Sequence, residues 1–376
     1  MFKGYAQADA AKKFLLAKGV QTTQQRYLCD VPVSAVGFGT YLGGMDFNTD
    51  RAVTIACIES VGLGVNLIDS AINYRGQRGE RSIGEALKQM FLKNVVSREE
   101  VFVSTKGGFV PFEGEPVEDL VGLFHQQYVK SGLVADTDLV ADCHCMHPAY
   151  LNNQLERSRR NLGLETIDLY YIHNPETQLE EFPARLFYER LSSAFEYLES
   201  ARLEGKIRYY GLATWDGFRE PPTAQGHLDL TAIIGLAEKA HKKVSGQGAH
   251  GLRAIQLPFN FAMIEAGFHP IQGEGQKLMP TIACAQIKGI DVVVSAPLYQ
   301  GRLAEGLPPF VKKHFDPALT DAEIALFFAT ALPGISAALV GMKTGAHVQT
   351  NLKVLKGQAL GEGQLKELLQ SMVARN

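Results

Sequence analysis

The stretch NLIDSAINYRGQRGERSIGEALKQMFL, residues 66–92, shows a pattern that recurs along the whole chain. Its first five residues have the length and composition of a short strand, and an amphipathic segment extends from Glu80 to Leu92. Apolar residues that recur at helical spacing over a segment of this length are typical of a surface helix. The stretch therefore predicts one strand, one loop and one helix.

Eight such units follow one another. Runs such as VFVST (101–105) and DVVVS (291–295) are continuously apolar, as in strands that are covered on both faces. The candidate strands are Ala35–Gly39, Asn66–Ser70, Val101–Thr105, Asp168–Ile172, Ile207–Leu212, Ala254–Leu257, Asp291–Ser295 and Ala338–Gly341. The candidate helices are Asp50–Val61, Glu80–Leu92, Pro148–Leu162, Tyr188–Glu204, Asp229–Val244, Lys277–Lys288, Asp321–Leu332 and Ala346–Leu355. This order favours an α/β fold of the (β/α)8 (TIM) barrel type, with an open doubly wound sheet as the alternative.

We expect residues 1–376 to form one barrel domain with two additions. Residues 1–30 are an N-terminal extension, in which Arg26–Ser34 is a candidate hairpin at the N-terminal end of the barrel. Residues 107–147 are a long insertion after the third strand, and positions 111–142 hold seven acidic side chains against one lysine. Loops of this length are usually functional or carry short helices of their own. We interpret the insertion as a substrate lid, with a decorative or oligomer-contacting role as the alternative.

Composition argues against several classes of partner. The formal net charge is -3, which does not suggest a surface for nucleic acid or for an anionic membrane. The chain has no apolar run of about 18 residues, as a membrane-spanning helix would need, and no signal-peptide pattern. Five cysteines, an odd and sparse set, are typical of a reducing compartment. We expect a cytoplasmic protein whose partner is a small molecule; the oligomeric state stays open.

Polar residues of four different kinds lie at the ends of consecutive candidate strands. The second strand ends in Asp69, with Tyr74 five residues further on, the third is followed by Lys106, and the fourth by His173. Active sites of such barrels lie at the carboxyl ends of the strands. We therefore expect these four side chains to converge on one rim, although each alone has an ordinary structural interpretation.

The four residues would suit proton transfer to a carbonyl. Tyrosine has a pKa of about 10, which is too high for efficient acid–base work near neutral pH. We expect Lys106 to lower the pKa of Tyr74, and Asp69 to offset the cost of burying the lysine. His173 would orient the substrate oxygen, and Tyr74 would donate a proton to it. The hydride chemistry would belong to a nicotinamide cofactor.

Six segments in the same order resemble the aldo-keto reductase family along nearly the whole chain. They are GVNLIDSAINY (64–74) followed by Glu80 and Gly84, LNNQLERSRRNLGLETIDLYYIHNP (151–175), GKIRYYGLATW (205–215), AIQLPFN (254–260), APLYQG (296–301) and GMKTGAHVQTN (341–351). The resemblance implies a TIM barrel, an NAD(P)(H)-dependent oxidoreductase acting on an aldehyde, ketone or sugar, and a catalytic set of Asp69, Tyr74, Lys106 and His173.

The resemblance also implies where the cofactor binds. Gln256 would hold the nicotinamide carboxamide, and Asn351 would reach the adenine. The complete implied set is Thr40, Asp69, Thr214, Gln256, Pro297, Leu298, Gly301, Gly341, Lys343, His347 and Asn351. Three aromatic residues on rim loops are candidates for walls of the substrate pocket, with plain packing as the alternative: Phe109, Trp215 and Phe218.

The chain departs from the family pattern at the cofactor positions. Ala213-Thr214 replaces a Ser-Asn pair, and Ser295 stands where an aromatic residue often stacks under the nicotinamide. His347 stands where many members have an arginine for the 2′-phosphate, and an imidazole is the weaker phosphate ligand. Such changes are similar to those of sugar and galactose-dehydrogenase-like members. We expect NADP(H), with NAD(H) as the alternative.

Two other functions stay open at this point. One is a nucleotide-binding regulatory subunit of the same fold with vestigial turnover, against which the four intact residues argue. The other is a metal-dependent barrel hydrolase that uses His173, His144 and Asp69. The run CHCMH (143–147) has zinc-ligand types. Its spacing is too tight for one ion, so no metal is expected.

Overall fold

Eight parallel strands close into a barrel in the computed structural model, which describes residues 1–274 and 277–373. In chain order the strands are β1 (Gln25–Leu28), β2 (Val31–Ser34), β3 (Val36–Gly39), β4 (Leu67–Asp69), β5 (Phe102–Gly107), β6 (Ile167–His173), β7 (Ile207–Ala213), β8 (Leu252–Pro258), β9 (Gln272–Glu274), β10 (Lys277–Met279), β11 (Asp291–Ser295) and β12 (Ile335–Gly341). The barrel runs from β3 to β8, then to β11 and β12, and β12 pairs with β3. The predicted (β/α)8 barrel is confirmed, and the open sheet is excluded.

Helices surround the barrel. In chain order they are α1 (Ala8–Ala17), α2 (Phe47–Gly62), α3 (Arg78–Leu92), α4 (Leu120–Phe124), α5 (Pro148–Leu162), α6 (Ala184–Leu203), α7 (Leu230–Val244), α8 (Glu265–Phe268), α9 (Thr281–Ile287), α10 (Pro309–Lys312), α11 (Asp321–Ala329), α12 (Gly345–Asn351) and α13 (Glu362–Val373). Their apolar faces join the outward-facing strand residues in one large core. Within the described ranges, no helix is long and apolar enough to cross a bilayer.

The hairpin of β1 and β2 covers the amino-terminal end of the barrel. Its Leu28 and Val33 pack with Leu67 and Leu169, which lie near the starts of their strands. The turn of the hairpin is tied to β11, because the backbone N–H of Cys29 donates to a carboxylate oxygen of Asp291 at 2.7 Å. This end of the barrel is therefore closed, and the opposite end is left for a site.

Two predicted helices start four residues from the observed position. The helix predicted from Tyr188 already begins at Ala184, directly after Pro183. The expected helix Lys277–Lys288 begins only at Thr281, because Lys277–Met279 is strand β10, which pairs antiparallel with β9. Pro280 explains the difference: proline disfavours helical backbone in the residue before it, so the segment up to Met279 stays extended. Proline then precedes the first helical residue, as the N-cap of α9.

The insertion after β5 is a folded unit with its own small core. Its two ends pair at a neck, where Val110 donates its N–H to the carbonyl of Cys143 at 2.7 Å and Cys145 donates to that of Gly108 at 2.9 Å. Above the neck, buried side chains from the insertion and from α5 form a separate cluster that includes Phe124. We call residues 108–110 and 143–145 the neck.

Two glycine-to-alanine substitutions test the packing of the helix layer. A Cβ on Gly84 in α3 would lie 2.1 Å from the backbone oxygen of Asn161 at the end of α5, whereas a Cβ on Gly235 in α7 would meet nothing. We predict that Gly84→Ala lowers the free energy of unfolding by about 1–3 kcal/mol. Gly235→Ala should raise it by up to about 1 kcal/mol through helix propensity. Urea denaturation checks both, and a neutral Gly84→Ala would contradict the close helix contact.

Candidate active site

The carboxyl ends of the barrel strands open into one cavity of about 1070 Å³. That volume exceeds the roughly 300–1,000 Å³ of ordinary small-molecule pockets. Asp69, Tyr74 and His173 line the cavity, and Lys106 lies fully buried next to Asp69. The cavity lining also includes every residue predicted to contact a cofactor: Thr40, Asp69, Thr214, Gln256, Pro297, Leu298, Gly301, Gly341, Lys343, His347 and Asn351.

The ammonium of Lys106 is paired inside the barrel. It donates to the Asp69 carboxylate and, at 2.8 Å, to the backbone carbonyl of Ser70. The other oxygen of Asp69 accepts from Ser104 at 2.7 Å and from Gln256 at 3.3 Å. Burial lowers the pKa of Lys106, and Asp69 opposes that shift. The pair places a positive charge 4.9 Å from the ring centroid of Tyr74.

The pKa of Tyr74 differs in direction from the prediction made from the sequence. Burial, with smaller effects from Asp69 and Tyr41, raises the pKa of Tyr74 well above its ordinary value. The expectation that the pKa of Tyr74 lies below its ordinary value is therefore wrong. The charge of Lys106 is paired with Asp69, so it does not outweigh the cost of a buried phenolate. Tyr74 is accordingly a neutral phenol that faces the cavity.

His173 is a neutral imidazole beside this phenol. Its ring meets that of Tyr74 edge-on at a centroid distance of 5.6 Å and that of Phe109 at 5.1 Å. Burial, together with the charge of Lys106, lowers the pKa of His173 well below its ordinary value. Its Nδ1 is buried and has no hydrogen-bond partner among the described residues. A phenol and a neutral imidazole thus share one end of the cavity.

The cavity continues from this end to the loop between β12 and α12. Lys343, His347 and Asn351 line that far part, and the Thr344 hydroxyl accepts the backbone N–H of His347 at 3.2 Å as the cap of α12. An elongated cleft with proton donors at one end and a lysine at the other suits an extended dinucleotide, since ammonium groups bind phosphate. The residues present therefore fit the predicted cofactor.

The rim loops differ in part from the prediction. Phe109 and Trp215 line the cavity, but Phe218 is fully buried in the core, so the alternative of plain packing holds for Phe218. Several other residues that line the cavity were not predicted from the sequence, among them Tyr41, Leu42, Asn73 and Asn174. Both asparagines directly neighbour a predicted catalytic residue, and that proximity is a signal that could have found them. The residues of the loop after β3, apart from Thr40, carry no comparable signal in the sequence.

A profile of the aldo/keto reductase family matches residues 35–223, half of the chain. The chain belongs to the aldo/keto reductase family. The NADH-specific methylglyoxal reductase of Escherichia coli is 30% identical over 207 residues, which cover 54% of this chain and 55% of that protein. The chain thus spans about half the length of the curated relatives it matches.

Solved structures share the barrel fold of this chain. A Klebsiella pneumoniae aldo/keto reductase in complex with NADP and acetate superposes with a TM-score of 0.61 at 18% identity, covering 92% of this chain and 94% of that one. An aldo-keto reductase from Bacillus halodurans in its holo form gives 0.62 at 19% identity, with 93% and 96% covered. At these identities the likeness shows a common fold.

His144, in the CHCMH run, makes hydrogen bonds within the protein. Its Nε2 faces the backbone carbonyl of His173, and its Nδ1 faces the amide of Gln178. Neither ring nitrogen is therefore left to bind a metal ion, as the hydrolase alternative requires. Over the parts of the chain that the structure describes, no three His, Cys, Asp or Glu side chains are grouped as a metal site.

A buried carboxylate, Glu176, supports the loop after β7. Its Oε1 accepts three backbone N–H groups, from Trp215 at 2.7 Å, Asp216 at 3.2 Å and Gly217 at 3.3 Å. Its Oε2 is buried without a partner in the described part of the chain. Burial raises the pKa of Glu176 from 4.5 to about 7. The group therefore changes charge near neutral pH, directly behind a wall of the cavity.

The raised pKa of Glu176 predicts a pH dependence. Because the folded pKa lies above the unfolded one, stability from this group is full below pH 4.5 and is lost as pH rises through about 7. Emission of Trp215, the only tryptophan, should titrate with a midpoint near pH 7. Glu176→Gln should abolish that titration, and Glu189→Gln at an exposed position of α6 should not. The same midpoint in Glu176→Gln would contradict the assignment.

Proposed function

We propose that the protein is an NAD(P)(H)-dependent oxidoreductase that transfers hydride between a nicotinamide cofactor and an aldehyde, ketone or sugar, with Tyr74 as general acid and base. The observation that carries this is the neutral phenol of Tyr74 beside neutral His173, above the buried Lys106–Asp69 pair, at one end of a long cleft. Membership of the aldo/keto reductase family supports the reaction class.

The bound cofactor supplies or accepts the hydride. Tyr74 gives its proton to the carbonyl oxygen as negative charge develops there. The charge of Lys106, 4.9 Å from the phenol ring, stabilises the phenolate that forms. His173 orients the carbonyl oxygen by a hydrogen bond. Because these interactions strengthen as charge moves, they favour the transition state over the bound substrate.

We infer how a dinucleotide would lie along the cleft. Gln256, which donates to Asp69, would hold the nicotinamide end together with Thr214, and Lys343, His347 and Asn351 would hold the adenosine end. The diphosphate would lie at the loop after β11, next to Pro297, Leu298 and Gly301. Relatives are described as NADH-specific or were solved with NADP or NADPH. We assign NADP(H) as the cofactor, with NAD(H) as the alternative.

Replacement of one tyrosine tests the proton donor. Tyr74→Phe should lower kcat for reduction of aldehydes, methylglyoxal among them, by about 10²–10⁴-fold, which is the usual contribution of a general acid. Cofactor affinity should stay within a few-fold, because the phenol ring remains. Tyr27→Phe, the same change on the exposed hairpin, is the matched control. Full activity of Tyr74→Phe would refute the role of Tyr74, and cofactor binding without any turnover in the wild type would favour a regulatory subunit.

Replacement of His347 tests the nucleotide end. A guanidinium can donate two parallel hydrogen bonds to one phosphate, so His347→Arg should tighten NADPH binding about tenfold and leave NADH binding unchanged. His269→Arg, at an exposed position outside the cavity lining, adds the same charge as a control. Dissociation constants from cofactor fluorescence measure both. An equal change for NADH and NADPH would show that His347 does not face the 2′-position.

A further inference from the structure

A chain of hydrogen bonds connects helix α6 to the backbone of His173. Arg190 of α6 donates from Nη2 to the carbonyl of Thr137 in the insertion at 2.9 Å, and from Nη1 to Oε1 of Gln178 at 3.2 Å. The amide nitrogen of Gln178 lies 2.9 Å from Nδ1 of His144. Nε2 of His144 lies 2.7 Å from the carbonyl oxygen of His173.

The direction of every bond in this chain follows from its two ends, because Arg190 can only donate and the backbone carbonyl of His173 can only accept. Arginine only donates, so the oxygen of the Gln178 amide must face Arg190 and its NH₂ must face His144. Nδ1 of His144 then accepts, and the single proton of the neutral ring sits on Nε2. That proton is donated to the carbonyl of His173. Burial lowers the pKa of His144 to about 4, in keeping with a neutral ring.

The backbone at His173 lies where strand β6 ends and the chain changes direction. His173 is the last residue of β6, and the next residue, Asn174, leaves the strand with a left-handed φ of 43°. The ring of Phe109 packs edge-on against both imidazoles, with ring centroids 5.3 Å apart for His144 and 5.1 Å apart for His173. A Cβ on Gly108 would lie 2.7 Å from Nε2 of His144 and 3.0 Å from the carbonyl oxygen of His173. The neck and His173 therefore pack as one unit.

We propose that His144 is a positioning residue for the reaction: it holds the backbone of His173 through its Nε2–H, and Arg190 fixes that tautomer through Gln178. His144 belongs to the acidic insertion (residues 107–147), so the insertion helps to hold in place the imidazole that faces the substrate. The proposal rests on the proposed function, in which His173 orients the carbonyl. A misplacement of about 1 Å in such a group is enough to lower turnover about a hundredfold.

Two substitutions of His144 separate this role from simple packing. The amide of glutamine reaches the position of Nε2 and can still donate to His173, whereas that of asparagine reaches only the position of Nδ1. His144→Asn should lower kcat about 10–100-fold with an unchanged dissociation constant for NADPH, and His144→Gln should keep kcat within a few-fold. Equal kcat values for the two variants, or a loss of NADPH binding in parallel with activity, would overturn the proposal.

The tautomer can be observed without turnover. In protein labelled with ¹⁵N-histidine, the ring nitrogen shifts of His144 should show a proton on Nε2 alone. In Arg190→Leu the Gln178 amide can turn round, so an Nδ1–H form should appear and kcat should fall. Arg185→Leu, at an exposed position of the same helix that pairs with Glu189, is the control and should match the wild type.

A proton on Nδ1 in the wild type, or identical spectra for Arg190→Leu and the control, would overturn the proposal. These spectra do not depend on catalysis. They therefore test the positioning role of His144 separately from the role of Tyr74 as the proton donor.

Discussion

A buried ammonium must be paired, and that requirement organises the carboxyl end of this barrel. The effective cost of taking such an ion out of water is several kcal/mol, which excellent geometry has to offset. Asp69 and the carbonyl of Ser70 accept hydrogen bonds from Lys106, while Ser104 and Gln256 donate to the other oxygen of the Asp69 carboxylate. Residues of β4, β5 and β8 thus meet at one charge pair inside the barrel.

The ionisation states around the pair follow from it. Burial and the charge of Lys106 keep His173 neutral, and burial keeps Tyr74 protonated. Both side chains are therefore uncharged before the reaction begins. A phenolate next to Lys106 becomes favourable only when the proton has an acceptor, which in the proposed reaction is the substrate oxygen. In the proposed reaction, the site would therefore stabilise charge that develops during proton transfer and not charge already present.

The strand–helix alternation predicted the barrel, and strand ends predicted where Asp69, Tyr74, Lys106 and His173 would meet. Local sequence could not show the β9–β10 hairpin, because a helical pattern continued through the residues before Pro280. It also could not show the contact between His144 and His173, which are 29 residues apart. The direction of the Tyr74 pKa shift depends on burial, and burial of a loop residue is set by tertiary packing.

In the proposed function, hydride moves from the cofactor to a carbonyl carbon in this pocket, and isotopic labelling follows that transfer. The purified protein is supplied with NADPH that carries deuterium at both C4 positions of the dihydronicotinamide, together with an aldehyde substrate, and the alcohol product is analysed by mass spectrometry. We expect one deuterium per product molecule, on the former carbonyl carbon. Alcohol that forms without deuterium, or binding of the cofactor with no alcohol formed, would contradict it.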